Sequence, residues 1–422
     1  MGRRRIPPKP HGFIKPGFEL VWQAFKNSLD SGSEKGGSFA AYHKGELVVN
    51  IWGGWADQES LRPWKDHTAS FLFSTTKSLS SVVIAHLVDR GLLRYEDPIS
   101  KHWPEFAENG KGKITLETYI SNRSGLAEVE EPYQLSWLRS DPHRLGVILA
   151  RAKPLWEPGK HHGYHPITFA LYLDQIVRRT DPQKRGLAQY FEEEIAKPFD
   201  IDVNIGMPKQ LQHRTTRLHV EMQALRDYYS NKEGNFAGDP EIFAMTLRNP
   251  RDWRRTQCLH NPDFMDLPCG SSHGVGTAQA VAKFHGILAQ GVDSNGRKII
   301  SPDAIKRLQI PLSWGADKTY GGNDIYSLGT SLLPVEEDGQ VHYMFGHGGF
   351  GGQYAAADTK HHVGFAYVSN FLDPLASMTR ETKWLPLYEA LFQCVLQVEG
   401  VTYERKTYSS FSDSFLPTQS KL

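Results

Sequence analysis

Strand patterns at both ends of the chain, with helix-patterned sequence between them, constrain its fold more than any other feature. Residues 38–54 alternate around His43-Lys44-Gly45, so the runs Phe39 to Tyr42 and Leu47 to Trp52 read as a β-hairpin about a glycine turn. After residue 320, Tyr326 to Leu333, Val341 to Phe345, Gln353 to Ala357 and Val363 to Val368 are short β-prone runs set apart by turn residues. A helix pattern follows near Trp384 to Val398. The middle, about residues 95–320, carries helical patterns such as Ile167 to Val177 and Thr277 to Leu288, separated by proline- and glycine-rich connections. Sheet and helices must share a core, which predicts an α+β fold: an antiparallel β-sheet flanked by helices, with a mostly helical inserted domain. The predicted units are a basic, proline-rich arm at 1–14, a main domain at 15–400 and a flexible tail at 401–422. Within the main domain, an α/β lobe takes about 15–95 and 320–400, and a helical lobe about 96–319.

Composition narrows the partners. The 48 basic and 47 acidic residues are spread along 422 positions, so no electrostatic footprint for nucleic acid or an anionic membrane emerges, and a small or neutral ligand fits better. No apolar run approaches the ~18 residues of a membrane span. The opening MGRRRIPPKP also lacks the apolar stretch of a secretory signal. Cys258, Cys269 and Cys394 are odd in number and lack C-x-x-C spacing, which argues against a disulfide framework or a zinc site and implies a reducing compartment. The chain closes on Ser420, Lys421 and Leu422, the peroxisomal address, after a serine- and threonine-rich stretch from Thr402 to Gln419 expected to hang free. A peroxisomal location and the import receptor as partner are therefore expected, with cytosol or mitochondrion as the alternative locations.

The chemistry begins at Ser74-Thr75-Thr76-Lys77, which opens a helix pattern running to Leu93 whose apolar positions imply burial over most of its surface. Residues three apart on a helix share a face, so the lysine can reach the serine hydroxyl. A serine is a weak nucleophile until a base takes its proton, and lysine can do so once burial and nearby positive charge lower its pKa from ~10.4 toward neutrality. The helix start also offers backbone N–H groups, that of Ser74 included, to the oxyanion of an attacked ester or amide. Chance supplies about one or two S-x-x-K matches in a chain this long, so the weight rests on context: this match is the only one, and it follows the apolar run Phe71-Leu72-Phe73.

Further segments supply that context: GLLRYEDPISKHWPEF from Gly91, ITLETYISNRSGL ending at Leu126, WEPGKHHGYHPITF from Trp156 and GHGGFGGQYAAAD from Gly346. With FLFSTTKSLS at the serine, their order resembles the serine β-lactamase and penicillin-binding-protein superfamily, above all class C-like carboxylesterases and eukaryotic β-lactamase-domain proteins, over roughly residues 15–400. The resemblance implies a β-lactamase/transpeptidase-like fold with Ser74 as nucleophile, Lys77 as base and Tyr164 as the tyrosine that helps pass the proton to the leaving group. It places His347, Gly348 and Gly349 on the strand lining the cleft, with the Phe350 N–H as a second oxyanion donor. Pro166 stands where true β-lactamases commonly have Asn, and Gly348 where the third motif usually has Thr, so groups that hold a β-lactam are missing. Esters or thioesters are the expected substrates, through an acyl-enzyme on Ser74. The alternatives are an inactive acyl-ligand binder or scaffold, and an acyltransferase using the same site. Arg123 stands where relatives often have His or Thr, without an evident function.

Competing motifs fail on context. Gly270-Ser271-Ser272-His273-Gly274 fits G-x-S-x-G, but Pro262 and Pro268 interrupt the strand an α/β-hydrolase elbow needs, so it reads as a loop before the next helix. His161, His162 and His165 lack the H-E-x-x-H pattern and a carboxylate at ligand spacing, and read as a polar loop at the cleft rim rather than a metal site. The glycines from Gly346 to Gly352 precede a strand-like run, not the helix of a dinucleotide loop, so no cofactor is expected.

Overall fold

The computed structural model describes residues 7–220, 238–253, 256–322, 324–374 and 383–407. Strands from both ends of the chain form one antiparallel sheet. Its order is His11–Ile14, Glu46–Asp57, Gly36–His43, Val363–Ser369, Gln353–Asp358, Gln340–Gly349, Ser331–Glu337 and Arg405–Thr407. The junction lies between Gly36–His43 and Val363–Ser369, in register from Val363 opposite His43 to Ser369 opposite Gly37. Two departures from expectation occur at the edges. His11–Ile14, assigned to the basic arm, pairs with Glu46–Asp57, and Arg405–Thr407, assigned to the free tail, pairs with Ser331–Glu337. Backbone hydrogen bonding to an existing edge organises such short segments whatever their own patterning.

Helices cover both faces of the sheet. Glu19–Ser31 buries Val21, Phe25 and Leu29, four residues apart, and ends at Gly32 in the left-handed conformation. It packs beside Leu385–Glu399 over Phe39, Val49 and Phe365. On the opposite face, Ala278–Gln290 starts at Thr277, whose hydroxyl caps the Ala280 N–H, and lies directly on Val363–Ser369. That approach requires glycine on both sides: a Cβ on Gly364 would sit 2.0 Å from Gly286 N. Thr76–Asp89 is buried around nearly its whole circumference, as its pattern predicted.

The segment between the sheet's two halves is largely helical, including Pro142–Arg151 and Thr168–Thr180. It also holds a small antiparallel sheet that the sequence did not suggest, in which Gly274–Gly276 pairs with both Ser70–Phe71 and Val203–Ile205. This small sheet sets the base of the site.

Candidate active site

Ser74 is held in a strained turn. Leu72 donates its N–H to Gly274 O at 2.8 Å, and Phe73 then adopts φ 47°, the left-handed region that non-glycine residues avoid. Such a residue costs about 1–3 kcal/mol and persists only where packing enforces it. The Phe73 ring is buried against Phe71 and Phe350, with centroids 6.0 and 5.5 Å away. Thr76 completes the clamp, its hydroxyl donating to Phe73 O at 2.5 Å and accepting from Gly274 N at 2.9 Å. Ser74 therefore occupies a single 3₁₀ turn, Phe73–Thr75, that runs into the helix Thr76–Asp89, and it remains half-buried.

Lys77 follows one turn later and is 1% exposed. Its Nζ lies 3.1 Å from Ser74 Oγ and donates to Pro166 O at 2.7 Å and Ser271 O at 3.0 Å. A neutral amine has two N–H donors and one lone pair. With the two carbonyls taking both donors, the remaining tetrahedral direction faces the serine hydroxyl. Burial lowers the ammonium pKa to about 7, as the sequence required of a lysine base. Pro166 thus contributes its carbonyl in place of a side-chain amide. Ser271, of the rejected G-x-S-x-G, holds the same lysine through its carbonyl while its hydroxyl bridges Ile167 O and Ala170 N.

Tyr164 and His347 form the facing wall. Lys77 Nζ is 4.8 Å from the centroid of the Tyr164 ring, and the His347 ring is 5.7 Å from that ring. Burial pushes the Tyr164 phenol well above its usual range and the Ser74 hydroxyl tempers the rise, although among the described residues no hydrogen bond closes on the phenol. His347 is lowered to about 3 by burial and by the Lys77 charge, so it is neutral at pH 7, with Nδ1 bonded to Gly348 O at 2.6 Å. The end of its strand lies flush against the nucleophile turn: a Cβ on Gly349 would meet Leu72 O at 2.3 Å. Gly349 therefore serves packing of the site rather than approach of a substrate. Gly348 is different, since a Cβ there would meet the Tyr354 ring at 3.6 Å, ordinary van der Waals contact, so packing does not by itself require glycine at this position. The same strand end sets half-buried Phe350 beside Phe73.

The sequence-predicted Ser74, Lys77, Tyr164, His347, Gly348, Gly349 and Phe350 thus lie together around the nucleophile turn. Ser420, Lys421 and Leu422 lie outside the described residues. The histidines before Pro166 correct the reading of a cleft rim. Only His161 is exposed; His162 is buried and His165 fully so, its Nδ1 bonded to Gly163 O and its Nε2 to Ser124 Oγ. Among the described residues no group of His, Cys, Asp and Glu could hold a metal. Arg123 turns to Glu117 and Ser121, at 3.1 and 2.9 Å, and its carbonyl accepts from Gly159 N. Sequence reading missed the residues that fix the Tyr164 backbone. Asn122, at φ 61°, accepts from His165 N through its side chain and from Gly163 N through its carbonyl, and Asp317 accepts from Tyr164 N.

The chain resembles known proteins along nearly all its length. The Beta-lactamase family model matches residues 21–387. The esterase/beta-lactamase LipL of Mycobacterium tuberculosis is 28% identical over 94% of this chain and 91% of its own. Among solved structures, a family VIII carboxylesterase superposes with TM-score 0.80 at 28% identity, covering 92% of this chain and all of the other. A penicillin-binding protein homolog from Caulobacter crescentus superposes with TM-score 0.77 at 28% identity and the same coverage.

Proposed function

This chain belongs to the Beta-lactamase family, and on that premise we propose that it is a serine hydrolase of carboxylic esters or thioesters working through an acyl-enzyme on Ser74. The observation that carries the proposal is the buried Lys77 amine, its two carbonyl partners leaving the third direction to Ser74 Oγ. The esterase named among the relatives and the carboxylesterase among the structural neighbours support the reaction class.

The steps follow from the geometry. Neutral Lys77 takes the Ser74 proton as Oγ attacks the acyl carbonyl carbon, and the carbonyl oxygen becomes an oxyanion received by the Ser74 and Phe350 N–H groups. The bond to the leaving oxygen or sulfur then breaks as the Tyr164 hydroxyl gives it a proton, and the Lys77 ammonium restores the proton of Tyr164. Water repeats the sequence on the acyl-enzyme: its proton passes to the Lys77–Tyr164 pair, its oxygen bonds the acyl carbon, and Ser74 leaves reprotonated. A phenol kept protonated by burial suits this donor role. The uncharged His347 and the bare Gly348 offer no cation or hydroxyl for a β-lactam carboxylate.

Turnover of p-nitrophenyl acyl esters by the purified protein, and its loss by at least ~1,000-fold in Ser74→Ala, is the expected result. Undiminished turnover in Ser74→Ala would overturn the proposal. Ser420, Lys421 and Leu422 further motivate the proposal that an import receptor carries this enzyme to the peroxisome.

A further inference from the structure

The Tyr164 hydroxyl can serve Ser74 only if its backbone is fixed, and part of that fixing comes from a residue 153 positions away. Asp317 is 2% exposed. Its Oδ1 accepts from Thr319 N at 2.7 Å and Tyr320 N at 2.8 Å, and its Oδ2 accepts from Tyr164 N at 2.8 Å. Among the described residues, these three backbone N–H groups are its hydrogen-bond partners, and no cation pairs with it. The same loop is tied to the Tyr164 segment a second time, where Lys318 N donates to His162 O at 3.0 Å. Between the two ties stands Gly163, where a Cβ would lie 2.6 Å from the Trp156 ring and 2.9 Å from Thr319 Oγ1. The loop also carries Tyr320, whose ring packs 5.4 Å from that of Tyr164. A buried carboxylate without a cation is expensive to keep, and burial raises Asp317 to about 7, with Asp324 adding to the rise.

We propose that Asp317 is the positioning residue of this site: by holding the Tyr164 backbone, its carboxylate sets where the phenol stands and so governs protonation of the leaving group. The inference rests on the proposed role of Tyr164 as proton donor. It touches neither substrate nor Ser74. In the step it governs, the C–O bond to the leaving group breaks, the Tyr164 proton moves to the departing oxygen, and Lys77 resupplies the phenol.

The leaving group separates this role from a structural one. A p-nitrophenolate departs without a proton, whereas ethoxide needs one. In Asp317→Asn, an NH₂ group replaces one acceptor, so either Tyr164 N or the pair Thr319 N and Tyr320 N loses its partner. The experiment compares kcat/KM, which reports acylation, for an ethyl ester and a p-nitrophenyl ester of one acid. Rates are expressed per Ser74 titrated with a serine-reactive phosphonate, so unfolded protein does not count. We expect a loss of about 100-fold on the ethyl ester and less than about 3-fold on the p-nitrophenyl ester. Asp317→Glu, which keeps the charge but moves it one methylene, should show the same selectivity. In a Tyr164→Phe background either change should cost little more, the signature of residues acting as one unit. Equal losses on both esters, or an undiminished loss in the Tyr164→Phe background, would overturn the role of Asp317 alone. Tyr164→Phe sparing the ethyl ester would overturn the underlying reading and this inference with it.

Discussion

The proposed mechanism needs Lys77 neutral, yet it is anchored by two carbonyls that favour an ammonium. Burial wins, bringing its pKa to about 7. The proposed mechanism makes the neutral amine the base, so it predicts that kcat/KM rises with pH to a plateau, with an ascending midpoint at about 7. Lys77→Met should lose about 10²–10⁴-fold and show no such limb. A pH-rate profile of the two proteins checks this, and an unchanged limb in Lys77→Met would assign the titration elsewhere. The proposed reacting groups each fall in a short motif that sequence can offer, Ser74 and Lys77 at helical spacing and Tyr164 and His347 in glycine-rich segments matching the family's order, and the structure brings them together. Asn122 and Asp317 were not legible in this way, since their work is hydrogen bonding to backbone from distant parts of the chain, and no local pattern announces it.

The central hairpin and the helices Ala278–Gln290 and Leu385–Glu399 could be read from periodicity, because each buries one face over many residues. The strands Arg405–Thr407 and Gly274–Gly276 could not, being three residues each and defined only by their partners. How closely Ala278–Gln290 approaches the sheet was equally hidden. Gly364 and Gly286 read as ordinary glycines in sequence, yet they set the spacing between helix and sheet on which the long axis of the core depends. Gly364→Ala should therefore destabilise the fold by about 3 kcal/mol, measured by urea denaturation, through overpacking against Gly286 N. A neutral effect would mean that the helix can move away freely.

The molecule as a whole is closed by a buried charge network remote from Ser74. His361 bridges Glu337 and Glu399, with nitrogen-to-oxygen distances of 3.0 and 2.7 Å. Arg405, from the last strand, pairs with Glu337 and Asp358, both fully buried. Removing one partner of such a network leaves the others uncompensated, so Arg405→Met should cost about 3–5 kcal/mol by denaturant titration. Burial alone would raise the carboxyl groups, but their partners hold Glu337 and Glu399 at about 2. Groups depressed in the folded state stabilise it above their unfolded pKa of ~4.3, and that contribution is lost as pH falls toward 2. His361 is shifted the other way, raised by both glutamates against the effect of burial, so its contribution is full below ~6.5 and is lost as pH rises through its folded value. Thermal unfolding across this pH range should show both flanks, and His361→Ala should flatten the alkaline one. Beyond the last described strand, a fluorescent fusion should be punctate with Ser420, Lys421 and Leu422 and diffuse without them; unchanged puncta would contradict the targeting proposal.

In the proposed mechanism Ser74 becomes covalently acylated. The direct measurement is mass spectrometry of the protein quenched during turnover of a slow ester, followed by peptide mapping. The adduct should equal one acyl group, lie on the peptide carrying Ser74, and vanish in Ser74→Ala. Turnover with no covalent adduct, or an adduct on any other residue, would contradict it.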